Sequence, residues 1–181
     1  GLREFATVLS AVQEGGPPQQ ATGQVTDRAS QALLVSDLHA NVLALPTIGR
    51  FAGRDVVFAP GDFGQDGGPG EIALLADRVA GLVGRMVAVS GNHDSRRLML
   101  ALARRGVLVL TERGRLEPDG RIRGPAVRRV GDLLVAGAAD PFEAPGTEPG
   151  RALSFDALKD GDALRAATVE RLTAWIEELD P

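Results

Sequence analysis

The sequence predicts an α/β fold organised on a parallel sheet, and three observations carry that expectation. From residue 32 onward, short apolar runs alternate with stretches of helical periodicity. The runs are rich in β-branched and aliphatic residues, which suits strands covered on both faces. Three of them also end abruptly in polar, ligand-type residues. Leu33-Leu34-Val35-Ser36 stops at Asp37-Leu38-His39, Val56-Val57-Phe58-Ala59-Pro60 stops at Gly61-Asp62, and Met86-Val87-Ala88-Val89-Ser90 stops at Gly91-Asn92-His93-Asp94. Open α/β sheets bind ligands outside the carboxyl ends of their strands. Three strands aimed at one place would gather Asp37, His39, Asp62, Asn92 and His93 into one cluster.

Composition narrows the function classes. The chain has 181 residues, 44% hydrophobic and 24% charged, which fits one globular domain with a sizeable core. Its formal charge of −4 gives no overall basic footprint for nucleic acid. Lys159 is the only lysine, and with so much Ala and Gly the arginine excess reads as coding bias. The absence of cysteine removes thiolate metal sites, disulfides and cysteine nucleophiles. No apolar run approaches the roughly 18 residues of a membrane span, and no signal-peptide pattern is present. A start at Gly1 rather than Met suits a piece excised from a longer protein.

Taken in order, Leu2, Phe5, Leu9 and Val12 fall at helical spacing and predict a short amphipathic helix over residues 2–14. Gly15-Gly16-Pro17-Pro18 ends it and a polar linker follows, so residues 1–31 are set apart from a domain over 32–181. Within that domain, strand 32–36 leads to a helix over 42–52 with Pro46 in its first turns. Strand 55–60 leads to the loop Gly64–Gly70 and a helix near 71–83 that buries Ile72, Leu75, Val79 and Leu82. Strand 85–90 leads to a helix near 94–105. Such βαβ units are expected to cross over right-handed. After Gly106 the pattern changes. Val107–Leu110 is a short strand, and Pro118-Asp119-Gly120 turns a hairpin between 115–117 and 121–123. Gly131-Asp132 turns a second hairpin between 127–130 and 133–136. Residues 163–179 read as an amphipathic helix with Leu164, Val169, Leu172, Trp175, Ile176 and Leu179 inward.

Asp, His and Asn without Cys form a ligand set for hard or borderline divalent ions, namely Mn, Fe, Zn, Ni or Mg. A carboxylate between two such strand ends can bridge two ions, and an ion pair roughly 3.5–4 Å apart can clamp a phosphoryl group. A histidine beside that site can protonate a leaving alkoxide.

At these residues the chain resembles the calcineurin-like metallophosphoesterases, which carry D-x-H, then G-D-x-x-D, then G-N-H-[DE], each after a strand. The matches are Asp37-Leu38-His39, Gly61-Asp62 and Gly91-Asn92-His93-Asp94, and Ser36–Asn41 is similar to the family's frequent S-D-x-H-G-N, with Ala40 in place of the glycine. The resemblance implies a four-layer αββα metallophosphoesterase sandwich, of which this chain carries the first half. It implies phosphoester hydrolysis by a hydroxide held on a dinuclear centre, with two divalent metal ions and a small phosphoester as substrate. Asp37 and His39 would ligate the first ion, Asp62 would bridge both, and Asn92 would ligate the second. His93 would be the general acid, and Asp94 would shape the loop. The family's acidic residue after G-D orients the histidine. Here Gln65 takes its expected place and Asp66 follows one residue late, so Asp66 is assigned that catalytic support or, alternatively, caps the next helix.

The family also supplies three histidines from its second half, and this sequence has only His39 and His93. The expectation is therefore a fragment or a degenerate member, weak or inactive as a hydrolase. Its uncovered sheet would invite self-association, with apolar surface exposed at Val107, Val109, Leu133 and Val135. The alternative is a non-catalytic interaction module of the same fold, against which the five retained site residues argue. Location stays open between the cytoplasm and a membrane-anchored parent. Other features have plainer readings. The Gly64–Gly70 loop lacks the Lys-Ser/Thr of a P-loop and reads as a flexible rim. Arg96 and Arg97 either meet a substrate anion or form a solvated helix face. Trp175 and Phe155 read as core, and Asp140-Pro141 as a turn.

Overall fold

The computed structural model describes residues 32–52, 56–65, 67–80, 86–140 and 161–179. The expected helix over 2–14, its linker, Asp66, Leu82, Phe155 and Pro141 lie outside the described residues, as does the side chain of Leu164.

Eight strands and four helices are described. They run β1 (Ala32–Leu34), α1 (Leu45–Ala52), β2 (Val56–Ala59), α2 (Pro69–Ala80), β3 (Met86–Ala88), α3 (Arg96–Arg104), β4 (Leu108–Thr111), β5 (Gly114–Leu116), β6 (Ile122–Arg123), β7 (Val127–Val130), β8 (Leu133–Ala136) and α4 (Gly161–Glu178). β1 to β6 form one sheet in sequence order, parallel from β1 to β4 and antiparallel thereafter. β7 and β8 form a separate antiparallel hairpin. This is a mixed α/β fold on a mostly parallel sheet, as expected.

The two faces of the sheet follow from strand periodicity. Val57, Ala59, Met86, Ala88 and Val109 pack in one buried cluster with Leu75, Val79, Leu98 and Leu102 of the helices. Val56, Val87 and Leu110 face the opposite way, where Val130 and Val135 of the hairpin pack against them. Helices cover one face and the two-stranded hairpin covers the other. The α3 helix begins at Ser95, whose hydroxyl accepts the Leu98 N–H at 3.2 Å. Arg96 and Arg104 donate to the carbonyls of Gly120 and Pro118, which ties the helix to the turn between β5 and β6. α4 is joined by an ion pair from Arg171 to Glu112.

Two expectations are corrected here. Val107 and Val109 are buried, not exposed, because α3 and its neighbours cover that face. Leu133 is exposed as expected, and Val135 is half-buried against the sheet. In α4, Val169 points outward and Thr168 is buried instead, while Leu172, Trp175, Ile176 and Leu179 are half-buried as expected. Among the described residues, no helix is long and apolar enough to cross a membrane.

Candidate metal centre

The site is assembled from three loops at the carboxyl ends of β1, β2 and β3, and backbone hydrogen bonds stitch those loops together. The N–H of His39 donates to the Asp62 carbonyl at 2.9 Å, and that of Ala40 to the Phe63 carbonyl at 2.8 Å. The third loop is locked by Asp94. Its carboxylate accepts the N–H groups of Asp62 (2.9 Å), Phe63 (2.9 Å), Gly64 (3.0 Å) and Gly91 (3.0 Å). Asp94 is only 3% exposed, so burial pushes its carboxyl above the ordinary aspartate range. The neighbouring charge of Asp62 pushes the same way, and the N–H donors of Gly91, Gly64 and Asp62 pull against both.

The closeness of these loops explains their glycines. A Cβ on Gly61 would collide with the Gly91 backbone, and one on Gly91 would collide with the Asp62 carboxylate. Gly61 also has φ +117°, which side chains disfavour. Asp37, His39, Ala40 and Asp62 share the left-handed region at φ 57°, 43°, 59° and 58°. Four non-glycine residues in that conformation at one spot are backbone strain gathered at a functional site.

The strain brings the ligand-type residues together. Asp37, His39 and Asp62 each offer one ligand atom, and the three atoms lie within 4.8 Å of one another. His39 Nε2 is 3.7 Å from Asp37 Oδ1, while its Nδ1 is buried with no hydrogen-bond partner. Among the described residues, the arginine ion pairs go to other carboxylates, so no side-chain cation offsets Asp37 and Asp62. Two adjacent carboxylates and an imidazole without a compensating cation suit a divalent ion. Ser36 donates its hydroxyl to Asp37.

His93 stands against this group. Its ring meets that of His39 edge to face, with centroids 4.7 Å apart, and its backbone N–H donates to Asp62 Oδ1 at 3.0 Å. Asn92 is exposed in the same turn, between Gly91 and His93. Asp66 falls outside the described residues, but the loop around it is clamped, because Glu71 Oε1 accepts the N–H groups of Gln65 and Gly67 at 2.9 and 3.1 Å. Arg96 is engaged by the Gly120 carbonyl, and Arg97 is exposed. Asp140, expected in a turn, sends its N–H to the Ser90 carbonyl at 2.9 Å.

Sequence reading did not anticipate the clamp by Glu71 or the four left-handed residues. The pairing of glycine before Asp62 and before Asn92 was the available signal for the close contact of the loops. The comparisons with known proteins agree with the geometry. No curated protein and no solved structure matches the chain. A model of one family, calcineurin-like phosphoesterase, matches residues 31–166, a span that takes in all three strand-end loops. With that match over most of its length, and with Asp37, His39 and Asp62 converging where the family motifs fall, the chain belongs to the calcineurin-like phosphoesterase family.

Proposed function

We propose that this domain hydrolyses small phosphoesters, with Asp37, His39, Asp62 and Asn92 holding two divalent ions. The observation that carries this reading is the convergence of Asp37, His39 and Asp62 with His93 packed beside them. Asp62 is suited to bridging, because it touches the Asp37 loop through its carbonyl and the His93 loop through its carboxylate. Divalent ions in such a site polarise phosphoryl oxygens and lower the pKa of water. His93 holds a ring nitrogen beside the cluster and delivers its proton to the leaving oxygen. Asp94 positions both Asp62 and the His93 turn without touching the substrate.

One observation favours the second reading, a non-catalytic module. The sequence contains only two histidines, so nitrogen ligands for a second ion are few. Weak turnover is therefore expected. The test is hydrolysis of p-nitrophenyl phosphate and bis-p-nitrophenyl phosphate with Mn, Zn or Mg added in turn. Metal-dependent turnover lost in Asp62→Asn supports the hydrolase and tells monoester from diester preference. Metal binding without turnover on either compound supports the module.

A further inference from the structure

The far edge of the sheet carries an arrangement that the metal centre does not use. Ten of the 20 basic residues fall within residues 96–129, against three of the 24 acidic ones, in a chain whose formal charge is −4. Within that segment three arginines stand on one face of the sheet. Arg115 on β5 is directly opposite Arg123 on β6 in the antiparallel register. Opposed like charges across a strand pair are destabilising. Leu110 of β4 pairs with Arg115, so both arginines stand on the sheet face of Leu110, the face covered by the hairpin. On the hairpin, Arg128 pairs with Val135, which packs on that same face. Arg128 therefore points inward, and its guanidinium lies over Gly124, the residue after Arg123.

Glycine at 124 is required by this arrangement, since a Cβ there would collide with the Arg128 guanidinium. Gly114 in turn lets the Arg123 and Gly124 carbonyls approach β5 closely. Two of the guanidinium groups are steadied by carboxylates, Arg115 by Glu117 at 2.7 Å and Arg123 by Asp119 at 2.8 Å. Each such bond uses only part of a fork of five N–H donors. Their side chains remain 40% and 49% exposed, so an anion can reach them. Arg128 has no carboxylate partner among the described residues, and its Nε is buried without any hydrogen bond. A buried donor left without an acceptor is destabilising. The fold thus keeps two unfavourable features side by side, a like-charge pair and an orphaned donor, and one oxyanion would relieve both.

We infer that Arg115, Arg123 and Arg128 form a second site, one that takes a phosphate-class oxyanion, free or as the phosphoryl group of a small ester. Its Gly124 edge lies at the same end of the sheet as the metal centre, since β6 runs parallel to β4 and ends at Arg123, just before Gly124. It stands apart from that centre by three to four strand spacings, roughly 14–19 Å. Three guanidinium forks match the geometry of a tetrahedral oxyanion through paired charge-assisted bonds.

The experiment is a titration of metal-free protein in EDTA with inorganic phosphate and, separately, with glycerol 3-phosphate. It is followed by arginine Nε–Hε signals in NMR and by calorimetry. The expected result is saturable binding with shifts at Arg115, Arg123 and Arg128. Arg128→Gln and the exposed Arg123→Gln should each weaken binding about tenfold or more. Arg97→Gln, outside the cluster, and Asp62→Asn, in the metal centre, should leave it unchanged. Binding of phosphate alone assigns a free ion, and binding of both assigns a phosphoryl group with one ester arm. No saturation by either compound, or equal affinity in the wild type, Arg123→Gln and Arg128→Gln, would overturn the site. Loss in Asp62→Asn would also overturn it, by moving the anion to the metal centre.

Discussion

The imidazoles of His39 and His93 meet edge to face, with centroids 4.7 Å apart and planes at 85°. The contact joins a proposed ligand from the first loop to a proposed acid from the third. Neither ring can turn without disturbing the other, so the contact restricts His93 to orientations beside the metal cluster. Packing places the His93 ring here, and the Asp62 carboxylate fixes its main chain.

Replacing His93 should therefore separate binding from turnover. His93→Ala is expected to keep metal affinity close to wild type while slowing hydrolysis of a poor leaving group about 10²–10⁴-fold. The loss should be smaller for p-nitrophenyl esters, whose leaving oxygen needs less protonation. Equal losses across leaving groups, measured as kcat, would remove His93 from the acid role.

Asp94 should matter to stability before it matters to chemistry. Asp94→Ala leaves four backbone N–H groups without an acceptor in a buried setting. The expected cost is about 3 kcal/mol or more in urea unfolding. Asp94→Asn keeps one acceptor oxygen and should cost less. A change below about 0.5 kcal/mol in Asp94→Ala would mean that solvent replaces the carboxylate.

A pH dependence follows from the raised Asp94 carboxyl. Its folded-state pKa lies above the ordinary value of 3.8, so the folded state holds this proton more tightly than the unfolded chain does. That contribution to stability is full below 3.8 and is lost as pH rises through the folded pKa. Metal-free protein should lose stability over this window, and Asp94→Asn should show a flatter profile. Chemical denaturation at several pH values reads the difference.

Ala40 occupies a left-handed position, φ 59°, where only glycine is unstrained. Ala40→Gly should relieve that strain at some cost in unfolded-chain entropy, a net gain of about 0.5–1 kcal/mol. A loss of stability would show that the surrounding bonds, from the Ala40 N–H to Phe63 above all, already compensate it.

Adding Mn or Zn should raise the unfolding temperature in proportion to the logarithm of free metal. Asp37→Asn and Asp62→Asn should each abolish most of the shift. A shift that persists in both variants would place the ion elsewhere.

Strand and hairpin placement was readable where local chemistry is strong. The β7–β8 hairpin falls at the expected residues because Gly131, at φ 60°, supplies the turn. The β4–β5 hairpin was not read, since its turn at Glu112-Arg113 carries no glycine or proline. The convergence of Asp37, His39 and Asp62 was legible because parallel strands deliver their ends to one side. That both faces of β4 are covered was not legible, because only tertiary packing brings α3 to one side and the β7–β8 hairpin to the other. Val169 was read as inward because it is apolar, whereas the spacing of Leu172, Trp175, Ile176 and Leu179 puts Thr168 on that face.

The contact of Gly61 with Gly91 has a consequence for how this domain tolerates change. Each glycine sits one residue before a candidate ligand, and each is barred from gaining a side chain by its neighbour's main chain or carboxylate. The joint is mechanical and does not depend on whether an ion is bound. Asn92 can be exchanged without loosening it, but neither glycine can. In a saturation library sorted only for folding, positions 61 and 91 should come back closed while positions 92 and 93 remain open, and the footprint left behind would read as a hinge pin rather than as a metal motif.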